Sequence, residues 1–373
     1  MSRTSAIAGT ELVQRAKTLL DQLSEQPRFA GSAEESAARD VCRSELERAG
    51  FSCKERPFDY SQWPGKWGPP LAAAFQAATV IVVARTAVAN GVLAAVLAGA
   101  VLLTILFFIN ADAKRRWIEV LRFQRAHSVN LEAKRGNPAV WLIAHLDSKS
   151  QTVAMLIRIA SSVALTTVLA VILLILLLSA VGLVWTAALW PGLRVAAVVA
   201  AIPSMFCFVR NQSAGAVDNA SGVVAVLLAV QSASTPRDVG VLVTSGEELG
   251  LAGARVWARH ADRSITVLNC DTIDDAGNWR SMYTGARPKR ITLAVEGVTN
   301  RLRVPLAMRR LIPGILADSM AFADRGIEAV TLSRGTLSTL ARIHTRRDNS
   351  NALTGQGAAE ASVILSALAK ELS

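Results

Sequence analysis

Charge is scarce in this chain, and over long stretches it is missing altogether. Asp, Glu, Lys and Arg make up 18% of the residues and hydrophobic residues 51%, a balance too apolar for an ordinary soluble domain. The deficit is local. From Leu71 to Asn110 the only charge is Arg85, and from Val153 to Val209 only Arg158 and Arg194 occur. Other absences narrow the possibilities further. The four cysteines, Cys42, Cys53, Cys207 and Cys270, have no CxxC spacing, so neither a disulfide framework nor a cysteine zinc site is supported. No His-Glu-x-x-His occurs, which argues against an intramembrane metalloprotease. The net charge of +11 comes without a nucleic-acid-binding motif, so attraction to anionic headgroups is the simpler reading and no nucleic acid partner is expected.

What fills the charge-free stretches is membrane-length apolar sequence. Ile159 to Leu193 is an uninterrupted run of 35 uncharged residues, longer than the roughly 20 needed to cross a bilayer once. Asn90-Gly91 breaks the first block and Trp190-Pro191-Gly192 the second, which predicts two transmembrane hairpins, 71–110 and 153–209, with helices over Leu71–Ala89, Val92–Ile109, Ile159–Leu189 and Leu193–Val209. Arg158 and Arg194 lie near span ends, where snorkelling accommodates them, so the charged mid-membrane groups of a transporter are missing. The N-terminal tail is polar, without the pattern of a signal peptide. Lys66, Lys114, Arg115, Arg116, Lys149 and Arg210 flank one side of the spans, against Arg85 and Arg194 near the turns. The positive-inside rule then predicts an inner-membrane protein whose remaining segments are cytoplasmic.

Those segments, 1–70, 111–152 and 210–373, are together long enough for one discontinuous globular domain. Short β-branched runs at Ala139–Ala144, Val239–Thr244, Ile265–Leu268 and Ala329–Leu332 alternate with helical patterns at Gly222–Gln231, Leu249–His260 and Gly357–Leu372. The alternation predicts an α/β fold, a mostly parallel sheet flanked by helices. In such sheets functional residues gather at the carboxyl ends of strands, where His145, Asp147, Glu247, Glu248 and Asp271 are expected.

The residue types at these ends are zinc ligands. Zinc takes imidazole nitrogen and carboxylate oxygen, and a pair of metals needs a group that bridges them. His145 and His344 are candidate neutral ligands, and Asp218, Glu248 and Asp271 candidate carboxylates. Asp147, two residues beyond His145, can orient its imidazole. His127 and His260 have no partner motif and read as structural or surface residues.

The ordered set His145-Leu146-Asp147, Asp218-Asn219-Ala220-Ser221-Gly222, Glu247-Glu248-Leu249-Gly250, Asp271 and His344 resembles the co-catalytic di-zinc aminopeptidases, the bacterial leucyl and yeast vacuolar aminopeptidase type. Pro27-Arg28-Phe29-Ala30-Gly31-Ser32 is similar to that family's opening. The resemblance implies a zinc-exopeptidase-like fold holding two Zn2+, with Asp218 as bridge and His145, Glu248, Asp271 and His344 completing the metal shells. It implies Glu247 as general base, Asp147 as support, and exopeptidase action on the free amine of a peptide. Two departures stand out. His145 and Asp218 are 73 positions apart, the second hairpin filling a loop that is short in soluble members, which places the active site near the membrane surface. At Asp318-Ser319-Met320 and Gly326-Ile327-Glu328 the family's Ser-Asp-His-like run and Gly-Ile-Pro are not matched. A carboxypeptidase, an aminoacyl cyclase and an inactive receptor or scaffold on the same fold are the rival readings.

Overall fold

The computed structural model describes residues 7–109, 123–181, 188–312 and 314–373. Two compact units emerge, one of Met1–Tyr60, Gln124–Ser150 and Arg210–Ser373, the other of Ser61–Phe123 and Gln151–Val209.

The first unit is built on one eight-stranded sheet. Its strands are β1 (Ser52–Ser61, whose last residue the second unit claims), β2 (Arg125–Lys134), β3 (Val140–His145), β4 (Val239–Thr244), β5 (Thr266–Ile273), β6 (Asn278–Tyr283), β7 (Ala307–Arg310) and β8 (Glu328–Gly335). They lie in the order β1-β2-β4-β3-β5-β8-β6-β7. The centre is parallel: β3 pairs with β4 from Val140↔Val239 to His145↔Thr244 and with β5 from Val140↔Thr266, while β8 joins β5 at Glu328↔Thr266. These four strands are the four apolar runs of the sequence, and β3 and β4 are buried at every position, as strands covered on both faces must be. Antiparallel β2 and β6 flank them. Trp141, Ile143, Leu242, Val267 and Phe322 form one core cluster on this sheet.

Two local expectations shift, and a third feature is new. β5 runs on through Ile273, so Asp271 lies within a strand and not after it, because pairing with β8 resumes at Ile273↔Arg334 past a register shift, with Thr272 at a φ of 58°. The helix expected over Leu249–His260 is confined to Ala252–Ala258, since Gly250 and Leu251 have φ of 119° and 62° and cannot belong to a right-handed turn. The bridging segment Ala216–Ala220 is kinked at Asp218 and Asn219, whose shared peptide bond is cis, before the helix Ser221–Gln231 begins.

The second unit holds four apolar helices, Trp63–Ala89, Gly91–Ile109, Met155–Ala180 and Leu189–Met205. The first starts eight residues before Leu71 and accommodates Pro69 and Pro70. It ends at Asn90, whose side chain accepts from the Leu93 amide and so starts the next helix, where the break was expected. Trp190-Pro191-Gly192 is not a turn: it forms the first turn of the last helix, a position where a proline loses no hydrogen bond. Trp63–Ala89 and Met155–Ser179 are long and apolar enough to cross a membrane, with mean hydropathy 1.7 and 2.7, and only 28% and 33% of their apolar windows are buried. The helices meet through small and branched side chains, among them Ala77, Val80, Ala84, Ala94, Ala98, Ile172, Ala197 and Ala201. Lys114, Arg115 and Arg116 fall outside the described residues.

Candidate metal centre

The parallel sheet delivers the acidic residues to one place by its register. His145 ends β3 beside Thr244, which ends β4, so the Glu247-Glu248 turn begins one strand away from the imidazole. Asp147 ties the two together: its carboxylate accepts the backbone N–H groups of Glu247 and Glu248, each at 3.2 Å. Its backbone carbonyl lies 3.0 Å from His145 Nδ1, and its carboxylate 3.7 Å from the same nitrogen. Asp147 therefore orients the ring mainly through its carbonyl and spends its side chain on the neighbouring acid pair.

Asp218 stands between the two histidines, with Oδ1 3.3 Å from His145 Nε2 and Oδ2 3.0 Å from His344 Nε2. Around it the candidates fall into two groups, His145 with Glu247 and Asp271, and Asp218 with Glu248 and His344. His145 Nε2 is 3.7 Å from Asp271 and 3.9 Å from Glu247, and His344 Nε2 is 3.2 Å from Glu248. All six residues are buried, and the structure brings together every site residue expected from the sequence. His127 instead pairs with Asp59 at the surface.

Residues that are not themselves candidate ligands hold this arrangement. Asp348 accepts from the amides of Val217 (2.7 Å) and Asp218 (3.2 Å) and so fixes the bridging segment. Asn219 donates to the Cys270 carbonyl and accepts from the Gly222 and Thr272 amides, coupling Asp218 to the strand that carries Asp271. A side chain at Gly222 would strike Asn219 and the Cys270 carbonyl, which is why the helix can start this close to the strand. Arg28 is almost fully buried and donates to the carbonyls of Leu23, Leu146, Ala214 and Gly215, pinning the N-terminal segment to both metal-bearing loops. His344 has a φ of 60°, a left-handed conformation uncommon outside glycine and typical of functional positions. Lys149 places its ammonium 2.7 Å from Glu248 Oε2. Asp318, buried, accepts from the Thr244 hydroxyl.

The electrostatics are those of an acid cluster short of positive charge. Burial lowers the pKa of His145, but the Coulomb pull of Glu247 and contacts to Asp147, Asp218 and Asp271 outweigh it and hold the pKa well above the usual imidazole range. Burial likewise works against His344, and Glu248 raises it. Asp218, against the cost of burial, is held low by the two histidines beside it. Glu247 moves the other way, raised by burial and by Glu248, Asp271 and Asp318 despite His145. Asp318 is pushed to about 7 by burial. Two buried atoms at the centre, His145 Nε2 and Glu248 Oε1, have no hydrogen-bond partner. A buried imidazole nitrogen and a buried carboxylate oxygen left open beside surplus acids are a donor set that fits a cation.

Residues 192–369 match the model of Peptidase family M28. No curated protein matches the chain. Among solved structures the fold is similar to an aminopeptidase from Aneurinibacillus sp. strain AM-1, at TM-score 0.57 and 15% identity over 95% of this chain and 92% of that one. It is similar to BSAP, a zinc aminopeptidase from Bacillus subtilis, at TM-score 0.56 and 15% identity over 95% and 94%. Fimbriiglobus ruber glutaminyl cyclase aligns at TM-score 0.53 and 12% identity, covering 100% of this chain and 99% of that one. The match to Peptidase family M28 takes in Asp218, Glu247, Glu248, Asp271 and His344, and β3 with the residues just after it sets His145 and Asp147 beside them.

Proposed function

We propose that this chain is a membrane-anchored metallopeptidase, an aminopeptidase that holds two zinc ions and hydrolyses N-terminal peptide bonds. The observation that carries the reading is the single buried carboxylate of Asp218 lying within 3.3 Å of both histidines, each of which has its own further acids. One metal would be held by His145 and Asp271 and the other by Glu248 and His344, with Asp218 shared. When bound, zinc supplies Lewis-acid polarisation of the scissile carbonyl and makes water acidic near neutral pH. Glu247 is the proton carrier. Its Oε2 makes the longest of the three contacts to His145 Nε2, and its buried carboxyl is raised, as suits a group that takes a proton from water and returns it to the leaving amine. Asp147 keeps Glu247 and Glu248 in register through their amides.

Membrane anchoring rests on the second unit. Two of its helices pass the length and composition test with most of their apolar surface uncovered, which a soluble core helix does not show. The other two, of 19 and 17 residues, fall within the range of about 17–25 that spans a bilayer, so that four crossings return the chain to its starting side. Trp67, Phe206 and Phe208 cluster at one end of the bundle, as in an interfacial aromatic belt. The bias of Lys and Arg around the spans supports a cytoplasmic peptidase unit.

The deciding experiment is hydrolysis of free, N-acetylated and N-terminal glutaminyl peptides by the detergent-purified protein. Cleavage of free but not acetylated peptides is expected. Cyclisation of the glutaminyl peptide without hydrolysis would move the assignment to the cyclases that share the fold, and no turnover with zinc bound would leave a receptor or scaffold.

A further inference from the structure

We propose that Lys149 is a positioning residue that sets the orientation of Glu248 for metal binding, an inference that rests on the metallopeptidase reading above. The Lys149 ammonium donates to two atoms of the same residue, the Glu248 backbone carbonyl at 2.8 Å and carboxylate Oε2 at 2.7 Å. Two bonds to one residue fix that side chain relative to its own backbone. His344 Nε2 lies 3.2 Å from the same Oε2. Oε2 is thereby held on one side, and Oε1 is left buried without a hydrogen-bond partner, the oxygen available to a cation. The Lys149 side chain is itself largely buried, 13% exposed, so the contact is not a loose surface pair.

An ammonium beside a metal ligand also has an opposing effect, since it repels a second cation. The bond to the backbone carbonyl decides between the two. A group acting only as a charge competitor gains nothing from that contact, whereas one that fixes a rotamer needs it. Removing such a supporting partner from a metal ligand costs about 10- to 100-fold in affinity.

The test is zinc titration of the full-length protein in detergent against a chromophoric chelator. In Lys149→Met one zinc equivalent should weaken by about 10- to 100-fold while the other is unchanged. Lys149→Arg should recover most of that loss, because a guanidinium can also reach a carbonyl and a carboxylate together. Adding Lys149→Met to Glu248→Gln should cause no further loss. Melting of the metal-free proteins controls for folding, and if Lys149→Met melts early, Lys149→Gln carries the same comparison. Unchanged or tighter zinc binding in Lys149→Met, or equal weakening of both equivalents, overturns the proposal while the metallopeptidase reading stands. Wild-type protein that binds no zinc defeats both.

Discussion

The two units of this chain treat their side chains in opposite ways. The first buries ionisable groups, among them Arg28, Glu35, Asp147, Asp318 and Asp348, and among its described residues it leaves few large hydrophobics exposed: Leu293, Ile312, Leu316 and Leu337. The second exposes Phe75, Val82, Val96, Val163, Leu174, Val199 and many more, and its buried cluster is alanine and branched aliphatic residues with one tryptophan, Trp190. Apolar residues turned outward destabilise a protein in water but not one in hydrocarbon, and buried carboxylates are tolerable only with partners or metal. The difference is the one that two solvents, water and hydrocarbon, would impose on one chain. It can be broken or sharpened by substitutions whose cost depends on the surroundings.

The largest effects belong to the acid cluster. Asp218→Asn should remove the shared ligand and, with it, zinc and activity together. Glu247→Gln should keep zinc and lose about 100- to 10,000-fold in kcat, whereas Glu248→Gln should lose zinc itself. Metal analysis beside turnover separates them, and the reverse pattern would show that the roles of the adjacent acids are exchanged.

A pair of arginine substitutions probes the solvents directly. Leu174 and Leu337 are 55% and 73% exposed. Leu337→Arg should change stability by no more than about 0.5 kcal/mol, as at any surface site. Leu174→Arg should cost about 2.5–3.5 kcal/mol if the helix lies in a bilayer, read as lost membrane insertion. Equal indifference at both positions would put the second unit in water. Orientation can be read in the same cells. In a background without the four native cysteines, Asn90→Cys should label with an impermeant thiol reagent and Ser373→Cys should not, and the opposite pattern would reverse the topology.

The smallest effect is a pH dependence of the first unit. Burial and the nearby Asp147 push Glu35 up to about 7 from the ordinary 4.5. Its folded form thus holds the proton more tightly than the unfolded chain, so its contribution to stability is complete below about 4.5 and declines as the pH rises through 7. Glu35→Gln should flatten that decline, on the order of 1–3 kcal/mol between pH 5 and 8, in thermal melts. An unchanged slope would show Glu35 to be ordinary.

Much of the centre was legible because its chemistry is local. A β-branched run followed by His145 or Glu247 signals a strand end, and the ordered ligands name the site. What the supporting residues touch was not legible. Asp348 binds amides 130 and 131 positions away, and Arg28 binds carbonyls near residue 214, contacts that the fold alone creates. Lys149 looked like one more cation flanking a span. Proline misled at Pro191, because a helix tolerates it in the first turn.

The insertion of the second unit between β3 and β4 also imposes a timetable on synthesis. β3 is flanked on both sides by strands that leave the ribosome only after both apolar hairpins, and the last ligand, His344, lies close to the C-terminus. At about 5–20 residues per second, roughly 10–40 s pass between the emergence of His145 and of His344. The residues of the centre therefore cannot come together until the whole insertion and nearly everything after it have been made, and a chain cut short of residue 344 lacks one of them.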